Sequence, residues 1–372
     1  MNLKDIFCQG RAISSMQRAY GAGRQGHAYI FAGADGIGKF TTASAWGKML
    51  LCHDKTVSEG PGGVFYDCCG VCESCKVFDG GGHPDFQAIY KELLEFTKDG
   101  KGKTTPVDLP KAVINEFLIE KVASKPKMSE YSVYVIKESH RLNAASQNAL
   151  LKVLEEPPEY CVIILLCNSI EKMLPTTRSR CQVVRFGEID ENIIIEKLVQ
   201  MSVDSAQARY WARFSELSLG TAMDWASVEV GENGIYGIKR EIISALSVYR
   251  LGDSLDLAEK MAAASKKISE AFSAKNKSLS KKAINRRAAK GVIRMVVSAF
   301  SDAIRLGVGD DEALINCDQR AEIENFAGRF SLDGAADKIS KAYENLRWVD
   351  SSVNEKLIFE ELLLNIAGCS TI

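Results

Sequence analysis

The sequence predicts an α/β domain built on a parallel sheet, followed by an all-helical C-terminal region. In the first half, short runs of β-branched and aromatic residues alternate with helical periodicity. This alternation is typical of parallel strands whose connecting helices cover both faces of the sheet. Beyond about Glu188 the strand signals fade, and the remaining chain shows mostly helical periodicity.

Length and composition permit two or three domains with buried cores. The chain has 372 residues, of which 46% are hydrophobic and 26% charged. Its formal net charge of -1 indicates no particular partner, so a basic surface would require local clustering. The apolar run at 161–167 is too short to span a membrane, and the N-terminal residues lack a signal-peptide pattern. We therefore expect a cytoplasmic protein.

The first strand–loop–helix unit contains a glycine-rich loop. The strand "HAYIFAG" is followed by "ADGIGK", and a helix begins at about Lys39. Such loops bind phosphates through backbone amides and a lysine, and the next Ser or Thr ligates magnesium. The residues that fit the phosphate cradle are Gly33, Gly36, Gly38 and Lys39. Phe40 replaces the hydroxyl residue, so the cradle is predicted without its magnesium ligand; a plain glycine turn is the alternative.

The next strands and helices show a second difference from a magnesium-binding site, at the end of a predicted strand. A helix is predicted from Pro110 to about Ala123, then a strand over "YSVYVIKES", a helix over "NAASQNALLKVLEEPPE" and a strand over "YCVIILLCN". A magnesium-dependent nucleotidase needs a carboxylate at the end of such a strand. Lys137 stands at this end, followed by Glu138. Because Lys137 can neutralise a phosphate directly, binding and hydrolysis of nucleotide are separate questions.

A cluster of cysteines favours a metal site over disulfides. Four of the eleven cysteines lie at 68–75, and "CGVCESC" has regular C-x2-C-x2-C spacing. With one upstream cysteine, this motif supplies the four thiolates that tetrahedral structural zinc requires. The expected Zn2+ ligands are Cys52, Cys69, Cys72 and Cys75, with Cys68, His53 and His83 as alternative ligands. We expect the zinc to hold a module of about residues 50–85 together.

The segment "LPTTRSRCQ" follows a strand and places Arg178 and Arg180 on a polar turn. An arginine in such a position can reach the γ-phosphate bound by a neighbouring subunit and stabilise the charge of the transition state. A solvated surface charge is the alternative explanation.

Four stretches, "HAYIFAGADGIGK", "CGVCESC", "ALLKVLEEPPE" and "LPTTRSRC", together resemble the bacterial DNA polymerase III clamp loader, an AAA+ family assembly. Their order and spacing match over about residues 5–187, and the resemblance weakens to about residue 235. It is faint in the last third, where "NEKLIFEELLLNI" is similar to the C-terminal helix of the family.

The resemblance implies three domains. Residues 1–187 would form the AAA+ P-loop domain with the inserted zinc module. Residues 188–235 would form a small helical lid, and residues 236–372 an all-α collar through which the subunits assemble.

The resemblance also implies a subunit type. The ATPase subunits of this family, gamma and tau, have a complete phosphate loop and an Asp-Glu strand end, from which this chain departs at Phe40 and Lys137. The segment "GTAMDWA" at 220–226 lacks the arginine with which those subunits sense γ-phosphate. The Ser-Arg-Cys motif around Arg180 is intact. These features resemble a non-hydrolysing subunit whose Arg180 acts in trans on the ATP of a neighbour.

The partners implied by the resemblance are gamma or tau and delta subunits and, through the assembled complex, the sliding clamp and primed DNA. Neither Mg2+ nor a membrane is expected as a partner of this chain. Binding of ATP or ADP by the loop at Lys39 stays open.

Two other functions are compatible with the residues. One is an active gamma-type clamp-loader ATPase in which Thr41 and Glu138 recover magnesium by a register shift. Both side chains would then have to lie about 2.1 Å from the ion. The other is a zinc-containing nucleic-acid-binding protein without ring partners, suggested by "KNKSLSKKAINRRAAK" at 275–290, which has seven basic residues and no acidic one. A solvated helical face explains the same run.

Overall fold

The computed structural model describes residues 1–60, 63–98, 100, 108–228, 230, 234–275, 280–351 and 353–367. These residues form two compact units, Met1–Ile189 and Asp190–Ile372. The finer division of the second unit into lid and collar at residue 235 stays a prediction. Within the described ranges, no helix combines the length and the apolar character that crossing a bilayer requires.

The N-terminal unit contains seven strands and seven α-helical segments among its described residues. The strands are β1 (Ala28–Ala32), β2 (Thr56–Gly60), β3 (Gly63–Asp67), β4 (Phe86–Ile89), β5 (Ser132–Ile136), β6 (Cys161–Cys167) and β7 (Gln182–Arg185). The helices are α1 (Gly10–Gly21), α2 (Lys39–Leu51), α3 (Glu73–Asp79), α4 (Lys111–Ile114), α5 (Glu120–Val122), α6 (Ala144–Glu155) and α7 (Pro175–Arg178).

Five strands form a parallel sheet in the order β4-β5-β6-β1-β7. The predicted parallel α/β sheet is therefore confirmed. The loops that follow β1, β5 and β6 leave the sheet at its carboxyl edge, where open α/β sheets bind their ligands.

Both faces of this sheet are buried, which is why its central strands are apolar without alternation. One face packs Tyr29 and Phe31 of β1 against α1 and α2. The opposite face packs Ile30 with Ile136 and Leu165, and this core includes residues of α4, α5 and α6. The sheet is thereby held rigidly between two layers of helices.

Three local features were not predicted. The cysteine-rich excursion contains an antiparallel hairpin, β2–β3, whose first strand is polar and exposed. The turn after Arg178 leads into an edge strand, β7, which pairs with β1. The predicted helix from Pro110 to about Ala123 is interrupted by a π-helical turn at Asn115–Ile119.

The C-terminal unit is entirely helical in its described residues, as predicted. Its helices are α8 (Glu191–Gln200), α9 (Ser205–Phe214), α10 (Leu219–Ala226), α11 (Gly234–Ser247), α12 (Ser254–Lys275), α13 (Lys281–Val308), α14 (Arg320–Ala327), α15 (Leu332–Asp350) and α16 (Glu355–Ala367). The long helix α13 packs against α11, α12, α14 and α15. It is capped at its start by the Ser280 side chain and ends at Gly309, whose φ is 78°.

A fully buried carboxylate anchors the chain that follows α13. Asp302 accepts hydrogen bonds from the backbone amides of Ile315 and Asn316 at 2.8 and 2.7 Å. It also pairs with Arg305 at 3.0 Å. A buried carboxylate is tolerated only when its hydrogen bonds are satisfied, so this arrangement fixes the connection between α13 and α14.

We expect Asp302→Ala to lower the free energy of unfolding by about 3 kcal/mol, because two buried amides would lose their acceptor. The matched control is Asp337→Ala, which removes an exposed carboxylate 3.0 Å from Lys341 on α15. That change should stay within about 0.5 kcal/mol of wild type. Urea unfolding followed by circular dichroism would measure both, and equal losses would contradict the anchoring role.

Candidate nucleotide site and metal centre

The glycine loop lies between β1 and α2, at the carboxyl edge of the sheet. Gly38 precedes α2 with a φ of 92°, a left-handed conformation that favours glycine. A side chain at Gly33 would come within 2.5 Å of Ile37 and 2.8 Å of the Phe186 carbonyl oxygen. Gly36 also has a positive φ. The conformation of this loop therefore depends on its glycines.

Lys39, the predicted phosphate-binding lysine, is folded back onto its own loop. Its ammonium donates to the carbonyl oxygen of Gly33 at 2.7 Å and to that of Ala34. The side chain is 8% exposed, and burial lowers the pKa of Lys39 below its ordinary value, with Asp35 opposing the shift. Phosphate binding by Lys39 would require it to exchange these carbonyl contacts for phosphate oxygens.

The two residues predicted to remove magnesium ligation contact each other. The Lys137 ammonium lies 3.9 Å from the centroid of the Phe40 ring, a cation–π contact, and 5.5 Å from that of Tyr90. Burial lowers the pKa of Lys137, although Glu92 and Glu138 oppose this shift. An aromatic ring and an ammonium thus stand together where the two magnesium determinants were expected, a contact that the sequence alone did not predict.

Glu138, the carboxylate next to Lys137, is held by cations of the protein itself. Its carboxylate lies 3.2 Å from the Lys91 ammonium and 2.9 Å from Nε of Arg141. Its backbone is left-handed, with a φ of 48°. The Glu138 carboxylate is therefore paired with two cations of the same unit.

Two polar side chains that sequence analysis gave no binding role brace the loop. The Asn168 amide, at the end of β6, donates to Asp35 at 3.1 Å. The buried Gln9 amide donates to the carbonyl oxygens of Ile37 and Gly187 at 3.2 and 2.9 Å. Gln9 precedes α1 in a segment without a motif, so its contact depends on the folded chain and leaves no signal in the sequence.

Arg180 follows α7 and is paired with the end of α6. Its guanidinium donates to Glu155 at 2.7 Å and to the Thr176 carbonyl oxygen at 2.9 Å. The side chain is 34% exposed, which leaves it accessible from solvent. Arg178, the other arginine on this turn, is exposed.

The four predicted zinc ligands lie together. The thiol sulfurs of Cys52, Cys69, Cys72 and Cys75 are all within 4.8 Å of one another. The Cys52 sulfur is 3.6 Å from that of Cys69 and 3.8 Å from that of Cys72. Sulfurs around tetrahedral zinc stand about 3.8 Å apart, so the donor set and its spacing fit this ion.

Backbone amides donate to the sulfurs of this cluster. The Cys69 amide donates to the Cys52 sulfur at 3.3 Å, and the Cys72 amide to the Cys69 sulfur at 3.3 Å. Burial acts to raise the pKa of Cys72, but hydrogen bonds from the backbone amides of Cys75 and His53 and with the thiols of Cys75 and Cys69 outweigh it and lower that pKa to about 6. Burial raises the pKa of Cys52 and of Cys75, so Cys72 is a member of the cluster in which the thiolate, the form that binds metal, is favoured.

The alternative ligands are engaged elsewhere. The Cys68 thiol donates to the Asn2 side chain at 3.1 Å, and burial raises its pKa to about 11. His53 contacts the Met128 carbonyl oxygen at 3.0 Å, and His83 contacts the Ser74 hydroxyl at 3.0 Å. The set of four thiols that includes Cys69, in place of Cys68, is therefore the one whose geometry suits a metal.

The basic run at 275–290 lies partly outside the described residues, at 276–279. In the described part, Arg287 pairs with Asp224 at 2.9 Å and Lys290 with Asp350 at 2.7 Å. Arg286 donates to the Asp350 carbonyl oxygen at 2.7 Å. These partners on neighbouring helices favour a packed helical face over a phosphate-binding surface.

Comparison with solved structures gives remote likenesses. A DNA polymerase III gamma subunit-related protein of Thermotoga maritima aligns over 96% of this chain and 99% of that one, with 12% identity and a TM-score of 0.41. The Bacillus subtilis DNA clamp loader delta protein aligns over 96% and 99%, with 11% identity and a TM-score of 0.33. At these scores the likeness is too weak to add to the fold described above.

Comparison with curated sequences gives closer relatives of the N-terminal unit. DNA polymerase III subunit tau/gamma of Haemophilus influenzae is 32% identical over 198 residues, which are 53% of this chain and 25% of that protein. Subunit tau of Bacillus subtilis is 30% identical over 204 residues, 55% of this chain and 32% of that protein. The alignments thus span a third or less of these relatives' own length.

Family models match both units. The model described as DNA polymerase III, delta subunit matches residues 8–190, and the model described as DNA polymerase III, delta subunit, C terminal matches residues 262–368. Together with the similarity to gamma and tau subunits, these matches show that the chain belongs to the AAA+ clamp-loader family of DNA polymerase III.

Proposed function

We propose that this chain is the delta-prime type of clamp-loader subunit. It hydrolyses no ATP itself, assembles with gamma or tau and delta subunits in the cytoplasm, and helps to load the sliding clamp onto primed DNA. Its Arg180 completes the ATP site of a neighbouring gamma-type subunit. The observation that carries the proposal is the contact between Lys137 and Phe40.

This contact opposes magnesium at the chain's own nucleotide loop. Magnesium requires near-octahedral oxygen ligands at about 2.1 Å, and a phosphoryl-transfer site holds it with a hydroxyl and a carboxylate. Here a ring and an ammonium, 3.9 Å apart, supply no oxygen. The ammonium also repels a cation. Glu138 is neutralised by Lys91 and Arg141, so it offers no free charge to replace the lost carboxylate.

Arg180 supports the second part of the proposal. An arginine finger must reach another subunit's γ-phosphate, which requires an exposed guanidinium on a fixed turn. Arg180 is partly exposed and stands on the turn between α7 and β7. The chain thus has lost groups that would serve its own nucleotide and has kept the group that would serve a neighbour's.

We further propose that Cys52, Cys69, Cys72 and Cys75 bind one structural Zn2+. A closed site with four protein ligands leaves no position for a substrate, so the ion's role is to stabilise the inserted module. The module's hairpin, β2–β3, lies between the first and second ligands in the chain. Residues 188–235 and 236–372 act in this proposal as lid and collar.

We expect Arg180→Ala to slow ATP hydrolysis at the neighbouring site by about 10³- to 10⁵-fold, the usual contribution of an arginine finger. Single-turnover hydrolysis by the complex assembled with gamma-type and delta subunits and primed DNA would measure this. Arg178→Ala, a change on the same turn, is the matched control and should keep the wild-type rate. Unchanged hydrolysis with Arg180→Ala would refute the role in trans.

We expect the isolated chain to show no magnesium-dependent ATP turnover, because ring and ammonium replace the metal's ligands. Phosphate release would measure turnover, and calorimetry with ATP in magnesium or in EDTA would measure binding separately. Turnover that requires magnesium and disappears in Lys39→Ala would instead identify an active gamma-type ATPase.

We expect the purified chain to contain about one equivalent of zinc. Cys75→Ser removes a ligand and should lower the zinc content and the thermal stability together. Cys68→Ser is the control: it removes an adjacent thiol outside the cluster and should leave one zinc bound. Elemental analysis would measure the zinc content of each variant. Loss of zinc from Cys68→Ser but not from Cys75→Ser would show that the proposed ligand assignment is wrong.

A further inference from the structure

The guanidinium of Arg180 is occupied within its own subunit. One terminal nitrogen donates to Glu155 Oε1 at 2.7 Å. The other donates to the Thr176 carbonyl oxygen at 2.9 Å and to the Ser179 hydroxyl at 3.4 Å. Both side chains of the ion pair are partly exposed, Arg180 by 34% and Glu155 by 47%.

Fixed elements supply both sides of this pair. Glu155 is the last residue of α6, and Arg180 lies two residues beyond α7. These helices pack together. The Gln147 side chain of α6 accepts a hydrogen bond of 2.7 Å from the backbone amide of Leu174, just before α7. The carboxylate is therefore held at a set position relative to the turn that presents Arg180.

The charge of the pair conflicts with the task proposed for Arg180. An arginine finger stabilises the negative charge that develops on a transferred phosphoryl group, so its positive charge must be available to that group. A carboxylate bonded to the same guanidinium neutralises this charge. Glu155 and the neighbour's phosphate therefore compete for one cation.

We propose that Glu155 is a positioning residue that holds Arg180 on its own subunit and releases it to the neighbour's nucleotide. This inference rests on the proposed role of Arg180 in trans. We call the ion pair between Arg180 and Glu155 the clasp. Half-exposed ion pairs contribute little free energy, so the clasp opens readily. Only molecules with an open clasp can bind phosphate through Arg180, so the apparent affinity for phosphate falls by the fraction of molecules whose clasp is closed.

The test in the assembled complex is Glu155→Gln, which keeps the size of the side chain and removes its charge. We expect kcat/KM for ATP to rise about two- to fivefold, the range set by a half-exposed ion pair. Glu156→Gln, at the next residue, is the matched control and should have the wild-type value. In Glu155→Gln/Arg180→Ala the gain should vanish, because Glu155 acts only through Arg180. An unchanged or lower kcat/KM in Glu155→Gln would overturn the proposal.

A second readout uses the isolated chain and needs no partner. Phenylglyoxal modifies accessible guanidinium groups, and peptide mass spectrometry gives the rate at Arg180 relative to Arg178. We expect Glu155→Gln to raise this ratio about two- to fivefold at an unchanged melting temperature. An unchanged ratio would overturn the clasp even if Arg180→Ala cripples the complex. A raised modification ratio, together with unchanged ATP hydrolysis in the Arg180→Ala complex, would support the clasp and refute the role of Arg180 in trans.

Discussion

The parallel pairing of β1 with β6 and β7 is the constraint on which the N-terminal unit depends. Because neighbouring strands run in the same direction, the loops after β1, β5 and β6 emerge at one edge. This edge brings together the glycine loop, Lys137 and Asn168, which are far apart in the chain. Burial on both faces fixes the sheet, so the points at which these loops leave the strands are fixed relative to one another.

Charged groups at this edge are paired with other side chains of the protein. Glu138 faces Lys91 and Arg141, while Lys137 faces the π-electrons of Phe40. Each contact is modest by itself, but together they engage the ionic groups at the end of β5. Arg180 is likewise paired within the protein, with Glu155.

Local sequence patterns predicted much of the secondary structure and the cysteine cluster. Contacts between residues distant in the chain were not predicted. The glycine spacing indicated α2 beginning at Lys39, and the cysteine spacing identified the four clustered thiols. The hairpin β2–β3 was missed because its first strand is exposed and lacks apolar alternation. The contacts of Gln9, of Lys137 with Phe40 and of Glu155 with Arg180 depend on tertiary packing, which has no periodic signal in the sequence.

The pairing of Lys137 with Phe40 also affects how the nucleotide loop could change during evolution. A hydroxyl residue at position 40 alone would take the ring away from a partly buried ammonium and leave that cation beside any incoming metal. A carboxylate at position 137 alone would place a negative charge against an aromatic face, which repels it. Under the proposed function, neither single substitution would create a magnesium site, so both positions would have to change together. Under the proposed function, this mutual dependence would keep the subunit non-hydrolysing, because selection acts on one substitution at a time.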